Sequence, residues 1–135
     1  LTDAHIHFHD LAERDPGFLA RYAAGPYLAC AASHDEGEFL ETESWGDRAG
    51  FISSFGIHPQ WPVWKNADFL ALVAGEGRIK AIGEAGFDFF GDRADRVRNE
   101  ENDKAQTGVF EYQLDLAERL GLPLLVHLRK ATDKA

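Results

Sequence analysis

Short apolar segments alternate along this chain with longer polar segments that are compatible with helices. The apolar segments cover residues 1–7, 27–32, 51–57, 79–83 and 122–126. Strands that alternate with helical segments in this way are typical of a parallel α/β protein. Each apolar segment ends in polar or glycine-rich residues, so we predict five strands that each enter a loop at that point.

Helical periodicity is clearest between the last two predicted strands. Apolar residues recur there at about the spacing of a helix, and they are Val109, Phe110, Leu114, Ala117 and Leu120. Gly121 and Pro123 then supply a stop signal. A second helix is predicted over residues 65–74, with a buried face formed by Phe69, Leu70 and Val73. Residues 87–104 are highly charged and predict a surface loop with a short helical piece.

Five strand–helix units are therefore visible, and their number constrains the fold. A (β/α)8 barrel closes with eight strands and about 250 residues, whereas this chain has 135. The sequence is then either part of a longer protein or forms a smaller open sheet. The absence of methionine, including at position 1, favours a partial sequence.

The composition predicts one folded domain without a membrane segment. Hydrophobic residues make up 44% of the chain and charged residues 27%, which is ordinary for a soluble domain. No apolar segment approaches the roughly 18 to 20 residues that cross a bilayer. Cys30 is the single cysteine and the first residues lack the pattern of a signal peptide, so we expect a cytoplasmic location.

The net charge of −9 argues against a broadly basic surface for nucleic acid. It does not exclude a nuclease, because bound divalent cations supply positive charge where a phosphate must lie.

The clearest chemical signal is the motif DAHIH at residues 3–7. In a strand, side chains two residues apart point to the same face, so His5 and His7 present two imidazoles side by side. Two imidazoles on one rigid strand suit a divalent metal ion. The alternative is a polar strand end with surface histidines, and the motif alone does not separate the two. We expect His9 to lie in the following loop and not to be a ligand.

Residues that suit catalysis also follow the later strands. Glu84 lies close to glycines on both sides, where a carboxylate can approach a metal, although an acidic turn has the same pattern. His127 ends a nearly continuous apolar strand, and either feeds a site or is a satisfied core histidine. Arg129 can hold a phosphate through its planar guanidinium or simply be exposed. His58 ends the third strand and suits contact with a substrate, or a structural role.

These residues coincide in their position in the fold. The carboxyl ends of the predicted parallel strands carry His5, His7, His58, Glu84 and His127. Active sites of parallel α/β folds collect at this edge of the sheet. The agreement between four strand ends therefore predicts one shared site.

Four motifs in this order resemble the successive signatures of the TatD family of metal-dependent hydrolases. They are DAHIH at residues 3–7, GIHP at 56–59, IGEAGFD at 82–88 and LPLLVHLR at 122–129. Residues 106–122 are also similar to the helix that precedes the family's fifth strand. The resemblance implies a (β/α)8 TIM-barrel fold, of which residues 1–135 would form a partial domain containing strands 1 to 5.

The resemblance also implies a site for one or two divalent metal ions, which Mg, Mn or Zn would satisfy. His5 and His7 would bind one metal, His127 would bind the second, and Glu84 would bridge them and be catalytic. His58 and Arg129 would line the phosphate pocket. Asp3 would orient the histidines from behind.

The implied activity is that of a deoxyribonuclease that cleaves phosphodiester bonds in DNA with a metal-activated water. Two alternatives remain open. One is a non-nuclease amidohydrolase, although many of those use a carboxylated lysine where this chain has Glu84. The other is an inactive fragment that acts as a binding module, because the family's later His and Asp ligands have no counterpart in these residues. The physiological substrate and the oligomeric state are not predicted.

Overall fold

A single parallel sheet organises the chain. The computed structural model describes residues 1–91 and 97–134, apart from the side chains of residues 47–49. The sheet has the strand order β1-β2-β3-β4-β5, and each strand pairs in parallel with the next. The strands are Thr2–Ile6, Leu28–Ser33, Ile52–Phe55, Ala81–Asp88 and Leu124–Arg129.

This strand order decides between the two main parallel α/β architectures. In doubly wound sheets the strand order reverses at a switch point, whereas here it follows the chain throughout. Sequential order is the arrangement of a (β/α)8 barrel. The predicted fold class is therefore confirmed, with five of the eight barrel strands represented in the described residues.

In the part of the chain that the structure describes, five α-helices connect or follow these strands. In chain order they are α1 Phe8–Arg14, α2 Phe18–Ala23, α3 Glu36–Ala49, α4 Ala67–Gly75 and α5 Glu100–Leu120. Short 3-10 turns cover Trp64–Asn66 and Thr132–Lys134. Among the described residues, no helix has the length and apolar character that crossing a membrane requires.

Helix α5 and strand β4 shorten the loop predicted over residues 87–104, although residues 89–91 and 97–99 belong to no helix or strand, as expected. The helix ends as predicted, with Gly121 in the left-handed region at φ 64°. It begins much earlier than expected, because the Asn99 side chain caps it by accepting a hydrogen bond from the backbone N of Asn102. At the other end of this segment β4 continues to Asp88. The part of the predicted loop at residues 92–96 lies outside the described residues.

The helix predicted over residues 65–74 is confirmed with a small shift, since a 3-10 turn precedes α4. Leu70 and Val73 are buried, and Phe69 packs partly buried against the same cluster. That cluster is the main core, and it joins α3, α4 and α5 to the central strands. Its large side chains include Phe39, Phe55, Leu70, Ile82 and Val109.

The two outer strands are more exposed than the sequence suggests. The apolar pattern of β5 predicts a buried strand, yet Val126 is 57% exposed and Leu128 is 40% exposed. Four of the five residues of β1 are also exposed. The reason is positional, because β1 and β5 are the edges of this five-stranded sheet.

Candidate metal centre

One buried carboxylate lies at the centre of the predicted site. Glu84 is only 5% exposed, and imidazoles from five histidines surround its two oxygens. Oε2 lies 3.0 Å from Nε2 of His5, 3.2 Å from Nε2 of His34 and 3.4 Å from Nε2 of His7. Oε1 lies 3.1 Å from Nδ1 of His127 and 3.7 Å from Nε2 of His58.

Glycines on either side of Glu84 allow β4 to approach β5 this closely. Gly83 has φ 121° and Gly86 has φ 150°, values that residues with a Cβ rarely adopt. A Cβ on Gly83 would lie 2.4 Å from the carbonyl oxygen of Leu125, and one on Gly86 would lie 2.2 Å from that of His127. The strand pairing is irregular between Ile82 and Ala85. Such irregularities redirect side chains, and here the segment carries Glu84 into the site.

Strand β1 supplies the pair of imidazoles that its alternation predicts. Nε2 of His5 and Nε2 of His7 lie 3.2 Å apart, beside the same oxygen of Glu84. Asp3 contacts the backbone of this strand, where its Oδ1 accepts a hydrogen bond from the N of His5 at 3.0 Å. His9 lies instead with Glu41, 3.2 Å from its carboxylate.

His127 of β5 engages both of its ring nitrogens. Nδ1 faces Glu84, and Nε2 lies 3.0 Å from Oδ2 of Asp88. That oxygen also accepts a hydrogen bond from the side chain of Gln60 at 2.9 Å. The carboxylates of Glu84 and Asp88 therefore fix the imidazole between them. Asp88 belongs to a motif recognised in the sequence, but no role was predicted for it.

His34 is not among the residues that the sequence predicts for this site. It directly follows β2, and its Nε2 contacts Glu84. Glu38 holds it from behind, because Oε2 accepts a bond from the His34 backbone N at 3.0 Å and lies 3.4 Å from Nδ1. Its position just after the apolar segment at residues 27–32 is the signal that could have identified it, since His58 and His127 also follow predicted apolar segments.

The histidines around Glu84 keep it ionised despite its burial. Burial raises the pKa of the carboxyl, but hydrogen bonds with His127 and His34 outweigh it and lower that pKa well below its ordinary range. Hydrogen bonding to Glu84 and Asp88 outweighs burial at His127 and raises its pKa.

His58 has a different electrostatic environment. Burial is the main cause that lowers its pKa to about 3, so the ring is neutral near pH 7. Its Nδ1 accepts a hydrogen bond from the backbone N of Gln60 at 3.1 Å. A neutral imidazole carries one proton, and with Nδ1 accepting, that proton is on Nε2. The nitrogen that faces Glu84 is therefore a donor.

Two buried glutamines of α5 hydrogen-bond to the backbone just after β3 and at the end of β4. Gln113 accepts a hydrogen bond from the backbone N of Ile57 at 2.7 Å and donates to the O of Ile57 at 3.1 Å. Gln106 does the same for Asp88, at 2.8 Å and 2.9 Å. These bonds fix the backbone next to His58 and at Asp88. Both glutamines lie on a helix face where periodicity predicts apolar residues, which is why the sequence did not reveal them.

Arg129 lies at the end of β5 but packs on an aromatic ring. Its guanidinium carbon is 3.7 Å from the ring centroid of Phe90. The arginine is exposed, so its planar group is accessible to an anion.

The donor atoms around Glu84 form two overlapping groups that fit divalent metal ions. One comprises His5, His7 and Glu84, and the other comprises His58, Glu84 and His127, with the atoms of each group within 4.8 Å of one another. Imidazole nitrogen and carboxylate oxygen suit zinc and other first-row divalent ions. Nε2 of His58 carries a proton and so has no lone pair to offer a metal ion. We therefore favour the other members of these two groups as candidate ligands, which are His5, His7, Glu84 and His127.

Comparison with known proteins identifies the family. The sequence matches the family described as "TatD related DNase" over residues 2–135. The chain belongs to this family.

The similar proteins carry names that agree with a metal site. The chain is 38% identical over 85 residues to the 3'-5' ssDNA/RNA exonuclease TatD of Cronobacter sakazakii, covering 61% of this chain and 30% of the relative. It is 28% identical over 144 residues to the uncharacterized metal-dependent hydrolase TatD of Mycobacterium tuberculosis, covering 97% and 52%. It is also 28% identical over 140 residues to the uncharacterized metal-dependent hydrolase YcfH of Escherichia coli, covering 97% of this chain and 50% of the relative. The chain thus spans between about a third and a half of these TatD-family proteins.

The match confirms the family that the four ordered motifs indicated. The histidines and the glutamate of those motifs converge on one point in this structure. The individual roles assigned to His5, His7, His58, Glu84, His127, Arg129 and Asp3 stay predictions.

Proposed function

We propose that this TatD-family protein is a divalent-metal-dependent deoxyribonuclease that hydrolyses phosphodiester bonds in DNA. The observation that carries the proposal is the buried, ionised Glu84 with imidazoles around both of its oxygens. A cluster of imidazoles around one shared carboxylate is suited to hold positive ions next to each other. The relative from Cronobacter sakazakii, named as an exonuclease on single-stranded DNA and RNA, supports the substrate class.

His5 and His7 would hold one divalent ion, His127 would hold a second, and Glu84 would bridge the two. When bound, such ions lower the pKa of water and neutralise charge on phosphoryl oxygens. Glu84 is the catalytic residue of this proposal because one of its oxygens contacts His5 and His7 and the other contacts His127, so it would hold both ions in place. Asp88 holds His127 in the orientation that its Nδ1 needs.

His58 would bind the substrate, as the sequence predicts. Its Nε2 carries a proton and lies 3.7 Å from Oε1 of Glu84, so it would donate to a phosphoryl oxygen bound beside that carboxylate. Because the His58 ring is neutral, the positive charge that balances the phosphate would come from the metal ions and not from this residue. Arg129 would contact a neighbouring phosphate after moving from the Phe90 ring.

The amidohydrolase alternative has less support, because a glutamate and not a lysine lies at the centre of the cluster. A cytoplasmic location stays a prediction. The complete site of the whole protein is also part of the proposal, since the chain spans only part of its relatives.

The test is a comparison of metal-dependent cleavage between Glu84→Gln and a matched variant. The protein is stripped with a chelator and incubated with labelled single-stranded DNA and Mg²⁺, Mn²⁺ or Zn²⁺. We expect cleavage that requires metal and falls at least about 100-fold in Glu84→Gln. Glu111→Gln, an exposed glutamate on α5, should cleave at the original rate.

Bound metal is measured in the same preparations by elemental analysis. Reduced metal content in Glu84→Gln would support its bridging role independently of turnover. Hydrolysis of small amides or lactones with no cleavage of DNA would overturn the nuclease assignment. Equal rates for Glu84→Gln and the unchanged protein would remove Glu84 from the mechanism.

A further inference from the structure

An exposed tryptophan stands beside the metal centre on the turn that follows β3. The indole of Trp61 is 51% exposed, and its ring centroid lies 5.5 Å from that of His58 and 6.5 Å from that of His34. These two histidines contact Glu84. A single imidazole ring therefore separates Trp61 from the Glu84 carboxylate.

Trp61 forms one wall of a cavity that opens next to this centre. The cavity has a volume of about 240 Å3, and its lining includes His34, His58, Trp61, Val63 and Asn66. At roughly 30 Å3 for each water molecule, it has room for about eight waters, which is the space of a small planar ring system. Trp61 also lines a second, larger cavity of about 440 Å3 together with Gln60 and Asn102.

The turn that carries Trp61 is fixed to the metal centre by hydrogen bonds. The backbone N of Trp61 donates to the O of His58 at 2.9 Å, and the O of Trp61 accepts from the N of Val63 at 2.8 Å. Between them, the Gln60 side chain is bonded to Asp88. These bonds fix the backbone at Trp61, so the point from which the indole extends has a defined position relative to the site.

We infer that this cavity is a nucleobase subsite, in which the indole of Trp61 stacks on the base adjacent to the phosphate that the metal centre around Glu84 would hold. The inference rests on the proposed nuclease function and names the part of the nucleotide that the protein recognises. Every base offers a flat apolar face, so stacking on an exposed indole binds single strands without reading their sequence. Lys65 at the rim of the same cavity adds one cation for the backbone in an otherwise acidic protein.

The geometry favours a base over a protein side chain or a small amide as the occupant. The cavity lining combines the rings of His34, His58 and Trp61 with polar groups, which are those of Asp35, Lys65 and Asn66. Flat heterocycles with polar edges match this lining. The amide nitrogen of Asn66 is bonded to the O of His34 at 2.7 Å, which leaves the amide oxygen directed away from that bond as an acceptor for a base edge.

The experiment compares two octamers whose phosphorothioate linkages resist hydrolysis, one of thymidine and one with abasic sugars at every position. Affinity is measured by fluorescence anisotropy with the metal-loaded full chain. We expect the thymidine octamer to bind about tenfold more tightly than the abasic one, and Trp61→Ala to remove this difference. Trp61→Phe should keep most of it, because phenylalanine retains a stacking face.

Trp64→Ala is the matched control. Trp64 is 55% exposed but packs against Tyr112, with ring centroids 5.5 Å apart. Trp64→Ala should bind both octamers like the unchanged protein. The intrinsic fluorescence gives a second readout, since thymidine should quench the indole emission in Trp64→Ala and not in Trp61→Ala.

Failure of this inference is distinguishable from failure of the nuclease proposal. Equal affinity of the unchanged protein for both octamers, or a base preference that survives in Trp61→Ala, would overturn the subsite even if DNA is cleaved. A preference that depends on Trp61 in a protein without nuclease activity would support the subsite and overturn the proposed reaction.

Discussion

Nε2 of His127 lies 3.0 Å from Oδ2 of Asp88, on the neighbouring strand of the sheet. The opposite nitrogen of the same ring faces Glu84 at 3.1 Å. A carboxylate behind a histidine selects its tautomer and holds the ring in one orientation. Asp88 therefore determines which nitrogen His127 presents to the centre.

Replacing Asp88 by Asn should weaken metal binding without removing a predicted ligand. We expect an affinity about 10- to 100-fold lower, because the His127 ring loses the charge that orients it. Calorimetric titration of the metal-free protein measures this directly. Asp115→Asn, an exposed aspartate on α5, is the matched control and should bind metal normally. Unchanged affinity in Asp88→Asn would show that Asp88 has no part in orienting His127.

Gly86→Ala should destabilise the β4–β5 pairing. The new Cβ would lie 2.2 Å from the carbonyl oxygen of His127, at a backbone φ of 150°. Strain of this kind costs on the order of 1–3 kcal/mol, before any displacement of β5 is included. Urea unfolding measures the loss. Gly75→Ala is the control, because a Cβ at Gly75 would meet no atom within 4 Å. The free energy of unfolding of this variant should not fall.

Gln113→Leu should lower both stability and activity. The substitution leaves the backbone N and O of Ile57 without their partner in a buried region, at a cost of about 1–3 kcal/mol for each unsatisfied group. Because Ile57 precedes His58, the turn at His58 should also shift. Thermal unfolding and cleavage rate are compared with Leu114→Ala, an exposed position of the same helix. Full stability in Gln113→Leu would contradict this role.

The ion pair between Glu43 and Arg78 should make a pH-dependent contribution to stability. Hydrogen bonds of 2.8 Å and 2.6 Å with Arg78 lower the pKa of Glu43 below its ordinary 4.5. The contribution is therefore present above about pH 4.5 and is lost as the pH falls through the lowered pKa. Since both groups are partly exposed, Glu43→Gln should cost less than about 1 kcal/mol at pH 7.

The difference between Glu43→Gln and the unchanged protein should disappear in acid. Urea unfolding at pH 7 and at pH values below the lowered pKa measures it, and Glu111→Gln provides a baseline for a glutamate outside this pair. A difference that persists at low pH would mean that Glu43 acts through packing and not through its charge.

Strand alternation and strand ends predicted much of the site, because both depend on local sequence. His5 and His7 share a face two residues apart, and Glu84 and His127 directly follow the apolar segments at 79–83 and 122–126, although the structure extends β4 and β5 past them. The buried role of Gln106 and Gln113 could not be read in this way. Each is a polar residue that replaces an apolar one on the inner helix face, and only the position of the strand backbone shows which groups it satisfies.

The exposure of β5 was missed for a related reason. An apolar strand signals a buried position in the completed sheet, whereas local sequence does not say which strand is at an edge. Val126 and Leu128 retain the apolar character of a covered strand while lying open in the described residues. The start of α5 was missed because its first turn is polar, and the Asn99 cap has no apolar periodicity to mark it.

His5 from one edge of the sheet and His127 from the other both reach the carboxylate of Glu84. A flat five-stranded sheet would hold its first and last strands far apart, so the sheet must curl strongly to bring them to one side chain. Glu84 thus connects the two edge strands of the curved sheet, in addition to its proposed role as a metal ligand. Loss of the Glu84 charge should therefore weaken the contacts of both edge strands together.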